Sequence, residues 1–261
     1  MDALLLLIAV GALVGFVVGL TGVGGGSLMT PLLLLFGFPV QVAVGTDLLF
    51  ASITKTAGVY HHHKKHNIHW RIVLLLAAGS LPAALITTSL LSHFTSQSIN
   101  YRPLITVSLG VMLILTATWL LTRHLWLAHH PVEKQATKIE HYPVKTLLIS
   151  GFILGVLVTL SSVGAGVIGT AILLSLFPLL RSSHIIGTDI AHAVPLTLVA
   201  GLGHLWLGHV DGHLLLALLI GSLPAIQLGT WAGSQLPNKW LQSILVVLLM
   251  ALGIKCAFFT F

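Results

Sequence analysis

The tripeptide Gly-Thr-Asp occurs twice in this chain, each time inside a segment that is otherwise apolar. It lies at Gly45–Asp47 and again at Gly187–Asp189. A carboxylate at mid-membrane costs about 2.5–3.5 kcal/mol on insertion scales, so such a residue usually faces a cavity or a partner. If the first of these helices begins near Pro39, Asp47 lies about 12 Å inside it. We expect Asp47 and Asp189 to line a substrate path, where they orient binding groups or carry a proton. The competing interpretation makes Thr-Asp an N-cap.

Two further side chains near these motifs could take part in the same chemistry. Lys55 follows Asp47 by about 12 Å along one helix, so a direct salt bridge between them is not expected. Its ammonium would either neutralise a substrate anion or snorkel to the lipid headgroups, and snorkelling is the expected behaviour. His192 lies one turn after Asp189. It would act as a proton-relay partner or pack as an ordinary helix residue.

Two glycine-rich stretches precede short apolar segments. They are "TGVGGGS" at Thr21–Ser27 and "SSVGAG" at Ser161–Gly166. Free N–H groups at a helix N-terminus attract anions, and non-helical backbone is tolerated in a membrane where it lines a cavity. The alternative is close helix packing, which Gly11, Gly15 and Gly19 are expected to serve through their four-residue spacing. Neither stretch is a P-loop, because no Lys-Ser/Thr follows it.

The composition indicates whether these residues lie in a soluble or a membrane protein. Of 261 residues, 56% are hydrophobic and 7% charged, whereas a soluble domain carries roughly 25% charged residues. Helical rather than barrel periodicity makes the chain an all-α polytopic membrane protein. The N-terminal apolar run is expected to be a retained first span, not a signal peptide. Cys256 is the single cysteine, so no intramolecular disulfide forms. The long apolar windows are Ala3–Leu20, Ile72–Leu91, Pro103–Leu121, Thr146–Leu160, Leu214–Trp231 and Leu241–Phe261.

The order of landmarks indicates an internal duplication. The spacing from Gly45 to Gly79 equals that from Gly187 to Gly221. We therefore expect a first transmembrane repeat at residues 1–121, a cytoplasmic linker at 122–145 and a second repeat at 146–261. The matching landmarks are "GFVVG" with "GFILG", "GVGGG" with "SVGAG", "GTD" with "GTD", and "GSLPA" with "GSLPA".

Basic residues predict that the two repeats are inverted. The loop "HHHKKHNIHWR" carries Lys64, Lys65 and Arg71, which favours the cytoplasmic side. Its counterpart at His204–His213 has no Lys or Arg. Opposite sides for equivalent loops are typical of secondary transporters built from inverted repeats. Each half then holds about five hydrophobic elements, giving 8–10 transmembrane helices with short or broken helices after the glycine-rich loops. The short elements are predicted at Ser27–Phe38 and Val167–Leu180.

The histidines suggest a different chemistry. Five of them lie in one loop, at His61, His62, His63, His66 and His69, and imidazole is a common metal ligand. A transition-metal cation permease is therefore an alternative function. A membrane-bound metalloenzyme such as a di-iron hydroxylase is a weaker one, because it needs several ligand boxes around one centre and the other histidines are scattered. We expect no metal site and no enzyme activity.

The ordered motifs resemble one known family. The glycine-rich break before a short apolar segment, then "VGTD", "HNIHWR" and "GSLPAAL", is similar to the TauE/SafE sulfite-exporter family over nearly the whole chain. The resemblance implies a permease in the inner (plasma) membrane of a prokaryote that moves sulfite, sulfonates or related small anions. It also assigns the glycine-rich segments and both Gly-Thr-Asp motifs to the family's motif positions. The second half departs from the first in reading Gly164-Ala165-Gly166 instead of three glycines.

The sequence thus predicts a secondary transporter, with export as the expected direction, for a small sulfur-containing anion bound between the repeats. The predicted partners are that anion and membrane lipid, with a homodimer left open; no cofactor and no nucleic acid are expected. Proton coupling is assigned to Asp47, Asp189 and His192. The predicted substrate-binding residues are Gly24, Gly25, Gly26, Ser27, Thr46, Asp47, Lys55, Ser162, Gly164, Gly166, Thr188 and Asp189.

Overall fold

The computed structural model describes residues 2–21, 28–97, 99–129, 142–233 and 239–258. These residues form helices and contain no strand, which confirms the all-α prediction. The ten helices in this part of the chain are α1 (Asp2–Thr21), α2 (Met29–Leu35), α3 (Val40–Lys64), α4 (Trp70–Ser96), α5 (Arg102–His129), α6 (Val144–Ser161), α7 (Val167–Leu176), α8 (Ser182–Trp206), α9 (Gly212–Gly233) and α10 (Lys239–Phe258).

Six of the described helices are long and apolar enough to cross a membrane. The two short helices, α2 and α7, follow the glycine-rich stretches as predicted, but both end earlier than expected. With 7 and 10 residues, they extend about 10 and 15 Å, far less than the ~30 Å hydrocarbon core. They therefore end inside the protein and can present their polar termini to its interior.

The two halves of the chain pack against each other rather than forming separate bundles. Helix α1 packs on α9, and its second-half equivalent α6 packs on α4. Equivalent helices also meet directly, α3 with α8 and α5 with α10. Most of the interior is therefore an interface between the halves, and the short helices lie against α3 and α8 within it.

Four glycines lie where helices of the two halves come close together. A Cβ on any of these four would overlap the backbone of the facing helix, so only glycine fits. The contacts match between the halves, and they make Gly151 of α6 the structural equivalent of Gly11 of α1. The "GFVVG" and "GFILG" motifs had paired Gly151 with Gly15 instead, which is one helical turn away. The matching contacts are Gly11 with Leu218, Gly15 with Ser222, Gly151 with Leu76 and Gly155 with Ser80.

Helices α3 and α8 run antiparallel. Gly45, near the beginning of α3, touches the carbonyl of His209, which lies just beyond the end of α8. Gly187, near the beginning of α8, touches the carbonyl of Asn67, just beyond the end of α3. The segment between the halves is partly helical, because α5 continues to His129 and α6 begins at Val144.

Candidate functional site

Asp47 and Asp189 occupy equivalent places in the interior. Each lies about two turns inside its helix, because α3 begins at Val40 and α8 at Ser182. Their side chains are 0% and 2% exposed. The N-cap interpretation is therefore wrong: the N-caps are Pro39 and Arg181, without side-chain cap bonds. Two carboxylates buried this deeply need polar partners.

A threonine from the preceding short helix binds each carboxylate. Thr30 of α2 donates both its hydroxyl and its backbone N–H to Asp47 Oδ2, the latter at 3.2 Å. Thr170 of α7 donates its hydroxyl to Asp189 Oδ2 at 2.7 Å. The two threonines follow Gly26 and Gly166 at the same spacing. We did not predict them from the sequence, although this shared spacing is a signal that identifies both.

Around Asp189, the backbone of α7 leaves room for the carboxylate. A Cβ on Gly169 would overlap Asp189 Oδ1, so the carboxylate lies directly against α7. The first half has Met29 at the corresponding position, one residue before its threonine. The two acidic sites are therefore alike in their threonine partner and different in their packing.

Around Asp47, one oxygen faces the end of α6. Oδ1 of Asp47 and the hydroxyl of Ser162 are both buried and have no well-formed hydrogen bond within the part of the chain that the structure describes, but Ser162 is close enough to act on the carboxylate. Ser162 ends α6 in the left-handed conformation with φ of 58°. The negative end of the α6 dipole and the Asp47 carboxylate thus face the same space, which favours a proton or a cation over an anion at this point.

Lys55 points into the protein, so the snorkelling prediction is wrong. Its side chain is 6% exposed, and Nζ donates a 2.6 Å hydrogen bond to the carbonyl of Ala165 in the second glycine-rich segment. Asp189 and then Asp47 are the charges that act most strongly on it. The equivalent position in the second half is Thr197, whose hydroxyl bonds within α8. Lys55 therefore makes the charge of the two halves different at this position.

His192 is also buried, and it bonds away from Asp189. Its Nε2 lies 2.8 Å from the hydroxyl of Ser80 on α4. The imidazole is 2% exposed and senses the charge of Lys55. The structure thus brings His192 into the same charged interior without the direct Asp189 contact that a simple relay pair needs.

Thr46 and Thr188 hold loops in place. Asp211 N–H donates to Thr46 Oγ1 at 3.3 Å, and His69 N–H donates to Thr188 Oγ1 at 3.0 Å. In each case the loop belongs to the other half of the chain and also touches the glycine of the same motif. The glycine and threonine of Gly-Thr-Asp thus seat a loop, and the aspartate faces inward.

Of the two glycine-rich segments, the second lies within the described residues. Gly24, Gly25, Gly26 and Ser27 lie outside the described residues. In the second half, Gly164 and Gly166 adopt φ of 106° and 128°, which only glycine adopts without strain. Residues 162–165 are buried, so the tip is closed in this conformation. The Lys55 ammonium binds this segment through the carbonyl of Ala165.

The described histidines pack against one another in pairs. Among the described residues, no group of three or more His, Cys, Asp or Glu side chains could hold a metal ion. His69 and His184 pack ring to ring, with centroids 5.1 Å apart. Burial, and then the neighbouring His184, lower the pKa of His69. These rings are therefore neutral packing partners near pH 7.

Comparisons with known proteins agree with this picture of a polytopic membrane protein. The chain is 37% identical to the probable membrane transporter protein YjnA of Bacillus subtilis over 95% of its length and 98% of that protein. It is 28% identical to the probable membrane transporter protein YdhB of the same organism, covering 92% and 94%. The corresponding values for MJ0441 of Methanocaldococcus jannaschii, also a probable membrane transporter protein, are 27%, 95% and 93%. No solved structure matches the chain significantly.

The sequence profile described as "Sulfite exporter TauE/SafE" matches residues 7–256. This span includes both Gly-Thr-Asp motifs, both short helices and Lys55. The relatives carry the name of transporters rather than enzymes. The chain is a multi-pass membrane transporter and belongs to the sulfite exporter TauE/SafE family.

Proposed function

We propose that this transporter moves a small sulfur-containing anion, such as sulfite or an organosulfonate, across the inner membrane of a prokaryote. The observation that carries the proposal is the buried Lys55 ammonium, on which the charges of two threonine-bound aspartates act. A lysine is costly inside a membrane and marks a substrate or ion path by default. The description of the family as sulfite exporters supports both the substrate class and outward transport.

The substrate anion binds by replacing the present partner of Lys55. The Lys55 Nζ group has three N–H donors, and one of them donates to the Ala165 carbonyl. A sulfite or sulfonate oxygen accepts a charge-assisted hydrogen bond more strongly than a neutral carbonyl does. Binding therefore releases the second glycine-rich segment from Lys55 and frees the segment that connects α6 to α7.

Protons balance the charge of the site. Two carboxylates, Asp47 and Asp189, face one ammonium, so an added anion raises the negative charge further. Protonation of an aspartate offsets that charge, and the unpartnered Asp47 Oδ1 beside Ser162 is suited to hold the proton. Asp189 remains a second candidate carrier, and His192 adds a neutral imidazole to the same interior.

Alternating access follows from the way the halves pack. Both aspartates are buried, which corresponds to a state closed on both sides. The antiparallel contact of α3 with α8 supports inverted repeats, and such repeats expose a shared site alternately by rocking against each other. The loops seated on Thr46 and Thr188 close the two ends of this contact.

A thermal-shift screen tests the substrate class directly. Purified protein is heated with sulfite, thiosulfate, sulfonates, carboxylates or Ni²⁺, because a ligand that binds the folded state raises its stability. We expect sulfite or a sulfonate to raise the melting temperature, and Lys55→Met to abolish the response. The matched control is Lys64→Met, at the exposed end of the same helix. A response to Ni²⁺ alone would reject the anion assignment and favour the metal-permease alternative.

Proton coupling is tested by flux into liposomes across a pH gradient. If Asp189 carries the proton, Asp189→Asn removes the dependence of sulfite flux on the gradient. Unchanged dependence rejects Asp189 and leaves Asp47 as the carrier, which the same assay examines with Asp47→Asn. Replacing His61, His62 and His63 together should leave flux intact, since none of them contacts the buried charges.

A further inference from the structure

A chain of hydrogen bonds runs from the end of α4 into the interior through two histidines. The Tyr101 hydroxyl lies 2.9 Å from His209 Nε2, and His209 Nδ1 lies 3.1 Å from His204 Nδ1. His204 Nε2 in turn lies 2.9 Å from the carbonyl of Thr159 on α6. His204 is fully buried. The site described above uses none of these side chains.

The acceptor at the inner end fixes where every proton lies. A carbonyl only accepts, so His204 Nε2 carries the hydrogen, and the neutral ring then accepts at Nδ1. His209 must therefore donate from Nδ1 and accept at Nε2 from the Tyr101 hydroxyl. Thr95 can donate to that hydroxyl at 3.1 Å. The two rings thus share one N–H···N bond, which is lost when both rings are protonated, because neither Nδ1 can then accept.

The same histidines hold a loop over the beginning of α3. His209 belongs to the loop 207–211, whose His209 carbonyl touches Gly45 and whose Asp211 N–H binds Thr46. The Cβ of His204 lies beside Gly45 as well. Asp47 is the next residue of this motif. Lifting the loop 207–211 is therefore the direct way to uncover the Asp47 end of the α3–α8 contact.

The equivalent loop in the other half lacks this chain. In the loop 65–69, Asn67 stands in the position of His209, and His62 of α3 in that of His204. His62 Nδ1 is buried without a hydrogen-bond partner. The backbone contacts of the two loops are nevertheless equivalent, since Asn67 touches Gly187 and the His69 N–H binds Thr188. Of the two loops, both fully described, the loop 207–211 is fastened by a hydrogen bond between two imidazoles, whereas His69 of the loop 65–69 meets His184 through ring packing.

We propose that the His204–His209 pair is a proton-binding site that unlocks the loop 207–211, so that acid opens the Asp47 end of the transporter. The first added proton leaves the bond between the rings in place. The second makes both rings positive and puts hydrogens on both Nδ1 atoms, which breaks the bond between them. This inference rests on the proposed function only in its assumption that loop opening serves transport. The binding of the proton and the movement of the loop can be measured without any substrate.

The surroundings set the direction of the effect. Burial lowers the pKa of His209, so the ring is neutral near pH 7 and the fastened loop is the stable form there. That stability is lost as the pH falls through the depressed pKa. Among the other titratable groups, Tyr101, which lies just before α5, contacts the pair directly, and Asp211 lies in the same loop as His209. α6 offers only the Thr159 carbonyl.

Hydrogen–deuterium exchange of the full-length protein in nanodiscs tests the proposal. Exchange is measured from pH 8 to pH 5 and corrected for the intrinsic pH dependence of each amide. Each proton taken up on opening accelerates opening by up to about tenfold per pH unit below the pKa. We expect this acceleration in the loop 207–211, at the amides of His209 and Asp211, and a smaller one in the loop 65–69, where His69 and His184 meet through ring packing.

Three variants separate the histidine pair from general acid effects. His209→Asn installs the residue of the equivalent loop and should remove the pH dependence. Tyr101→Phe leaves both rings in place but removes a donor that holds His209, so it should raise the pH at which the loop opens. The control His62→Gln should change neither loop's pH response.

Each outcome decides the question. An equal pH response in both loops, no response in the loop 207–211, or a response retained in His209→Asn would overturn the proposal. Protection of that loop by added Zn²⁺ at pH 7.5 would instead make the pair a metal site and overturn the proton assignment. Because the measurement contains no sulfur anion, a failed substrate screen does not affect it.

Discussion

Replacing Lys55 by methionine is the sharpest test of the site. Methionine keeps the length and apolar stem of lysine and removes only the ammonium. The change deprives the Ala165 carbonyl of its 2.6 Å partner and leaves Asp47 and Asp189 without the positive charge that acts on both. Each of these consequences destabilises the folded state.

The size of the effect follows from burial. A hydrogen bond from a charged group contributes about 1.5–3 kcal/mol, and removing one member of a buried charged group costs about 3–5 kcal/mol. These values overlap rather than add, because the same ammonium serves both roles. We expect Lys55→Met to lower the free energy of unfolding by about 3–5 kcal/mol.

The assay is equilibrium unfolding of the purified protein in mixed micelles, followed by circular dichroism. Lys64→Met is the control, since Lys64 is exposed at the end of the same helix and a surface contact contributes about 0–1 kcal/mol. Asp189→Asn in the Lys55→Met background should recover part of the loss, with a coupling energy of about 0.5–3 kcal/mol.

Two results would refute this reasoning. If Lys55→Met is as stable as Lys64→Met, the ammonium does not compensate the buried carboxylates. If Asp189→Asn destabilises the Lys55→Met protein as much as it destabilises the wild type, the two side chains act independently. In either case Lys55 would no longer carry the proposed anion site.

Two further predictions concern packing and the threonine–aspartate pairs. Gly221→Ala should destabilise the protein by about 1–3 kcal/mol, since the added Cβ overlaps the Ile8 carbonyl. In the control Gly58→Ala the added Cβ meets only the end of a side chain, so this variant should be neutral or stabilising in the same unfolding assay. Thr170→Val removes the donor to Asp189 and should reduce sulfite flux into liposomes, whereas Thr170→Ser keeps the hydroxyl and the flux; equal loss in both variants would show that the methyl group matters instead.

The sequence predicted those features that depend on local composition and spacing. Apolar length placed the helices, and the equal spacing of the Gly-Thr-Asp motifs placed Asp47 and Asp189 at equal depth. The glycine-rich stretches predicted the short helices α2 and α7, because glycine ends one helix and leaves little length for the next. These signals are periodic or local and need no knowledge of the packing.

Features that depend on partners from the other half were missed. The direction of Lys55 is decided by a carbonyl on a distant loop, which a helix-length argument cannot supply. Thr46 and Thr188 were expected to bind substrate, but their nearest contacts are loop amides supplied by the opposite half. Thr30 and Thr170 were overlooked because a threonine in an apolar helix usually bonds to its own backbone. His204 and His209 were dismissed as scattered, since only folding brings them to Tyr101.

The exchange of helices between the halves has a consequence for assembly. Because α1 rests on α9 and α6 rests on α4, either half made alone would display its glycine-lined grooves to lipid with nothing to fill them. The covalent link between the halves contributes little to this helix packing. A gene cut between His129 and Tyr142 should therefore still yield a working carrier when both fragments are synthesised in one cell, and neither fragment should accumulate in the absence of the other.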